Sequence, residues 1–83
     1  MKRLKQYKEI KKDDYIKAIN GRGKYIIFNC LDSRYPNNAI ILDTDILGLE
    51  TMIGKTEYLS KFALEHEFKL YRLNKFERWL YVL

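Results

Sequence analysis

Four groups of residues in this chain have types and spacings that could do chemistry. Gly48-Leu49-Glu50-Thr51-Met52-Ile53-Gly54-Lys55-Thr56 has the outline of a phosphate-binding loop. That loop needs four residues between its glycines so that consecutive amides point at phosphate, and here there are five. Leu49, Met52 and Ile53 read better as core anchors, with Gly54 as a turn. Asp43 followed by Glu67-Phe68-Lys69 has the outline of a metal nuclease, in which strand carboxylates hold Mg²⁺ and a lysine steadies phosphate. The chain lacks room for the usual nuclease core, and Asp43-Thr44-Asp45 fits a strand end better. Cys30 and His66 are the only cysteine and histidine. A zinc site needs three or four such ligands. As a nucleophile pair they are poorly placed, because Cys30 sits in an apolar strand pattern where a free thiol is inert core. The expectation is therefore no enzyme, no catalytic residue, no cofactor and no metal site.

The fourth group is basic and aromatic. The net charge of +5 is carried at the ends. Lys2, Arg3, Lys5, Lys8, Lys11 and Lys12 stand against Glu9 alone in residues 1–12, a segment that could bind a polyanion. Residues 13–67 are net acidic. Residues 68–83 are basic again through Lys69, Arg72, Lys75 and Arg78. If Asn74-Lys75 is a two-residue hairpin turn, Leu70 faces Trp79, Phe68 faces Tyr81 and Arg72 faces Glu77 on a core side. Lys69 then faces Leu80, Tyr71 faces Arg78 and Leu73 faces Phe76 on the other. Lys69, Tyr71, Phe76 and Arg78 form the candidate partner-binding surface. Aromatic and basic side chains interleaved in this way suit a protein interface or single-stranded nucleic acid.

These residues need a scaffold. At 83 residues and 47% hydrophobic content the chain is one globular domain, 1–83, with a basic N-terminal segment and a small core. No apolar run is long enough to span a membrane. Residues 1–12 have no apolar signal core, and a lone cysteine fits a reducing cytoplasm. Leu4, Tyr7, Ile10 and Lys11 are spaced for a first helical turn or two. Residues 13–21 read as a short helix, with Asp13 as N-cap and Gly21 beyond its end. Residues 24–30 and 39–43 are β-branched and aromatic strands around a turn at 32–38. Their faces read as Ile26, Phe28, Ile40 and Leu42 against Tyr25, Ile27, Ala39 and Ile41. Both are apolar, so helices or another subunit should cover both. Residues 44–54 read as a short helix or ordered loop. A helix capped by Thr56 runs to about His66 through Leu59, Phe62 and Ala63. Residues 68–73 and 76–82 form the last hairpin. The expected class is α+β in helix–hairpin–helix–hairpin order, with a four-stranded, mainly antiparallel sheet and two short helices.

The coding signature adds an origin. Phe, Tyr, Met, Ile, Asn and Lys make up 38 of 83 residues, and Lys outnumbers Arg 11 to 5. This composition reads as AT-rich coding: a low-GC bacterium, its phage or plasmid, or an archaeal counterpart. The expected function is a small, cytoplasmic, non-enzymatic protein of a phage or mobile element that binds and inhibits a host protein. The alternative is a nucleic-acid-binding regulator that holds DNA or RNA with the basic N-terminus and last hairpin. No membrane partner is expected, and self-association into a homo-oligomer is compatible with the two-sided apolar strands.

Overall fold

A computed structural model describes residues 1–34, 37–59, 61 and 67–81. Among these, six strands are joined into one antiparallel sheet: β1 (Lys2–Leu4), β2 (Tyr15–Ile19), β3 (Tyr25–Cys30), β4 (Asn38–Thr44), β5 (Thr56–Tyr58) and β6 (Lys69–Arg72). Their order across the sheet is β1-β6-β2-β3-β4-β5. Single 3-10 turns form at Tyr7–Glu9 and Glu50–Met52, a short helix, α1 (Lys75–Trp79), follows β6, and Leu59 and Lys61, within the second helix expected from the sequence, are helical. The four-stranded, helix-first architecture expected from the sequence is therefore incorrect.

Residues 13–21 form a strand rather than a helix. In β2 the burial has period two: Ile16 and Ala18 are fully buried, while Tyr15, Lys17 and Ile19 are half-buried. Asp13 is not a helix cap. It takes a left-handed conformation (φ 71°) in a turn where the Lys11 amide donates to Asp14 Oδ2 at 2.8 Å. Asp tolerates that region better than most residues. After β2 the chain reverses around Asn20, whose Oδ1 accepts from the Arg22 and Lys24 amides. The left-handed glycine of this turn is Gly23 (φ 77°), two residues beyond the Gly21 expected.

The strands expected at 24–30 and 39–43 are present, but their faces differ from the reading. A bulge between Ile27 and Phe28 shifts the register, so that Phe28 opposes Ile41 and Cys30 opposes Ala39. Ala39 and Ile41, not Ile40 and Leu42, share a face with Ile26 and Phe28. That face is the core. It carries Leu4, Ile16, Ala18, Ile26, Phe28, Cys30, Ala39, Ile41 and Leu70, with Ile10 and Leu59 packed in. Loops close it: Tyr7, Ile46, Leu49, Met52 and Phe68 lie against it, partly buried. Thr56 begins strand β5 against Ile40 and caps no helix. Tyr35 and Pro36 of the expected turn, Phe62, Ala63 and His66 of the expected second helix, and Val82 lie outside the described residues.

The last hairpin is also absent from the fold. Asn74 and Lys75 are not its turn. Asn74 caps α1, its side chain accepting from the Glu77 amide at 2.9 Å while Glu77 Oε1 accepts from the Asn74 amide at 3.0 Å. This reciprocal box starts a helix. Trp79 is consequently not in the core and is 79% exposed. The faces of β6 itself are as read: Leu70 points into the core, and Tyr71 points away from it.

β6 sits between β1 and β2, so the sheet is complete only when residues 69–72 return to the N-terminal segment. Arg72 makes that return specific. Its Nε donates to Asp14 Oδ2 at 2.9 Å, and its Nη2 donates to the Glu9 carbonyl. Asp14 also orders the turn at Lys11, so one guanidinium holds the segment between β1 and β2. Arg72→Ala should lower stability by about 2–3 kcal/mol, because a half-buried carboxylate and a carbonyl lose their donor. Lys69→Ala, an exposed position on the same strand, should stay within about 0.5 kcal/mol. Urea denaturation of the two variants checks this; equal losses would remove Arg72 from this role.

Candidate functional site

The face of the sheet opposite the core is built on a lateral row. Strand register places Arg3, Tyr71, Lys17, Ile27 and Asp43 side by side on β1, β6, β2, β3 and β4. Around the row, cations cover rings. The Arg3 guanidinium lies 5.9 Å from the centre of Tyr71, and Lys17 Nζ lies 4.8 Å from that of Tyr25. Arg78 reaches back from α1 to 4.6 Å from the ring of Tyr15. Each contact adds a modest attraction and lets a charged side chain lie along apolar surface.

An acidic pole closes the row. Tyr25 donates its hydroxyl to Asp43 Oδ2 at 2.9 Å, and the Tyr25 amide donates to Asp45 Oδ1 at 2.7 Å. The hydrogen bond to Asp43, then desolvation, then the charge of Asp43 push the Tyr25 phenol up to about 12. Tyr81 is raised by desolvation first and by Asp43 and Glu77 next. Glu77 is held below the ordinary carboxylate range, chiefly by the Asn74 amide. The N-terminal ammonium lies 3.1 Å from Glu77 and so links the start of β1 to α1.

α1 has two sides. Arg78 faces inward over Tyr15, and Leu80 and Tyr81 flank a groove with Leu42 and Asp43. Phe76, Trp79 and Leu80, at spacing i, i+3, i+4, are 87%, 79% and 76% exposed. A helix stripe of this kind normally faces a core; this one faces water.

The residues picked from the sequence are redistributed. Tyr71 meets Arg3 and Lys17 rather than Arg78, and Phe76 stands on the outward side of α1. Lys69 is exposed and lines a groove with Arg3, Lys5, Gln6 and Tyr7. Lys2 and Arg3 belong to β1, Lys5 follows it, Lys8 lies in the first 3-10 turn, and Lys11 and Lys12 lie in the turn before β2; all six are exposed. Because β1 pairs with β6, the basic N-terminus and the aromatic-basic strand are one surface, not two. Sequence reasoning puts Trp79 in the core and, although it places Leu80 on the side away from the core, leaves both out of the candidate surface. The signal for them was present as Asn-x-x-Glu at 74–77 ahead of the 76, 79, 80 spacing.

The other motifs are taken apart by the fold. Leu49 and Met52 of the loop-like motif pack on the core. Asp43 on β4 and Glu67, just before β6, are separated in the sheet by β3 and β2. Burial, then the charges of Asp14 and Asp32, push the Cys30 thiol up to about 12. His66 lies outside the described residues. Among the described residues no group of three or more His, Cys, Asp or Glu side chains could hold a metal ion. No helix among them is long and apolar enough to cross a membrane. No protein-family model, curated protein or solved structure matches the chain.

The Tyr25–Asp43 pair has a pH signature. A phenol whose pKa is raised on folding stabilises the fold fully below its ordinary value of 10, and that contribution is lost as pH rises through about 12. Stability should therefore fall between about pH 10 and 12, and Tyr25→Phe should flatten the fall. Urea midpoints across this range test it; identical slopes in wild type and variant would contradict the assignment. The buried Cys30 contributes loss of the same sign and remains in both proteins.

Proposed function

We propose that this chain is a non-enzymatic binding protein that docks an acidic protein partner through α1, with Phe76, Trp79 and Leu80 as anchors. The observation that carries this reading is the exposure of all three on one short capped helix, Phe76 and Trp79 within it and Leu80 at its C-cap. Three large apolar side chains clustered in water are unlike the scattered ones of an ordinary surface. The i, i+3, i+4 spacing is that of helix-in-groove recognition, and tryptophan is the residue most enriched at binding hot spots.

Charge selects the partner. Exposed Lys75 begins α1 on a chain of net charge +5, so a second copy of the chain is repelled and an acidic surface attracted. The nucleic-acid reading is weakened because Tyr71, Tyr25 and Tyr15 each have a face covered by a cation of the same chain. Base stacking on the sheet face needs open tyrosine faces; the open rings, Phe76 and Trp79, lie on α1. The non-enzymatic reading is supported by the protonated, buried Cys30 and by the separation of Asp43 from Glu67. The wider reading, a phage or mobile-element protein that inhibits a host protein, rests on size and coding composition.

The test is affinity capture from a low-GC bacterial lysate, with and without nuclease, using wild type and a Phe76→Ser, Trp79→Ser, Leu80→Ser variant. The expected result is a stoichiometric, nuclease-resistant protein band with wild type and none with the variant, whose melting temperature stays near that of wild type. Material lost on nuclease treatment, or retained equally by the variant, would contradict the reading.

A further inference from the structure

β1 leaves β6 immediately after the Leu4–Leu70 pair. Strand alternation keeps Lys5 and Lys69 on the face that carries Arg3 and Tyr71. Arg3, Lys5 and Lys69 flank a groove of about 290 Å³ that also includes Gln6 and Tyr7 but no carboxylate. Of the two nearby acids, Glu9 is turned to its own backbone, accepting from the Lys5 amide at 2.7 Å and the Gln6 amide at 2.9 Å, and Glu67, two residues before Lys69, lines a separate groove on the β2 side of Lys69. The ion pairs among the described residues lie elsewhere, at Met1–Glu77, Lys61–Glu57 and Arg72–Asp14. Arg3, Lys5 and Lys69 therefore line one groove to which no carboxylate contributes. Like charges on adjacent strands destabilise a sheet, and a bound anion relieves that repulsion.

We infer that the Arg3–Lys5–Lys69 groove receives carboxylates of the acidic protein partner; this rests on the docking role of α1. The two sites belong to one footprint. The contact of the Met1 ammonium with Glu77 places α1 at the start of β1, and Lys2–Leu4 then runs from the helix to the groove. At about 3.3 Å per residue the two ends lie on the order of 10 Å apart, well within a standard protein interface. The apolar anchors supply residence time, and the cations supply rate and orientation.

The test is an NMR titration of the whole chain at low salt with two probes, hexaglutamate and a six-nucleotide oligo(dT). Hexaglutamate should shift the signals of Arg3, Lys5, Gln6 and Lys69. An Arg3→Gln, Lys5→Gln, Lys69→Gln variant should weaken it by about tenfold or more, and a Lys8→Gln, Lys11→Gln, Lys12→Gln variant by less than about threefold. Should the first variant lose its melting transition, Lys5→Gln and Lys69→Gln singly, both at exposed positions, carry the comparison. Shifts centred on Lys8, Lys11 and Lys12, equal weakening in both variants, or tighter binding of oligo(dT) in the groove would overturn the assignment. Neither probe needs the apolar side of α1, so Trp79→Ser should leave hexaglutamate binding unchanged. Failure in the groove leaves the docking role of the helix standing.

Discussion

The structure depends on the insertion of β6 between β1 and β2. Those two strands are neighbours in sequence, yet a segment some 50–70 residues away completes the ladder between them. Backbone groups on both edges of β6 find partners only in that position, and unpaired buried backbone groups are costly. Arg72 adds selectivity by holding Asp14 and the Glu9 carbonyl, both in the segment that links β1 to β2. The core follows from this arrangement: Leu4 and Leu70 come face to face, and Ile10 joins the same buried cluster.

The surface follows from it too. With β1 against β6, the basic N-terminus becomes part of the same face as Tyr71 and α1. Cations that would otherwise repel one another are laid over tyrosine rings, and Asp43 takes the far end of the row through Tyr25. These contacts cover the middle of the face, where Ile27 is fully buried, and leave the tyrosines around it half-buried. They leave two features with no intramolecular purpose: an apolar stripe on α1 and a cationic groove at the end of β1. The capping box of Asn74 and Glu77 is what commits the chain after β6 to a helix, and so commits Trp79 to solvent.

Residues 25–30 and 38–44 were legible as strands because β-branched and aromatic residues dominate them and turn residues separate them. The alternation of β6 was legible as well. β2 was misread because Tyr-Ile-Lys-Ala-Ile fits either period over five residues, and flanking Asp13 and Gly21 mimic helix caps. Its true state is decided by pairing with β3 and β6, a long-range effect. The bulge at Ile27 and Phe28 is likewise set by pairing, and it reverses which residues of β4 enter the core. At Asn74 the local evidence was sufficient but was read as a turn: the aromatic run from Phe76 to Tyr81 suggested a strand, whereas Glu77 three residues after Asn74 marks a helix start. Of the candidate site, Lys69 and Tyr71 were found through strand alternation. The convergence of Arg3 with them required knowing that β1 pairs with β6.

The most direct measurement uses Trp79, the sole tryptophan of the chain. Its fluorescence reports without ambiguity whether the segment after Asn74 is a capped helix facing water or a strand facing the core. Collisional quenching by acrylamide should be nearly as efficient in the native chain as in urea, with little change in emission wavelength on unfolding. A blue-shifted native emission with several-fold protection from quenching would place Trp79 inside the protein and contradict the account.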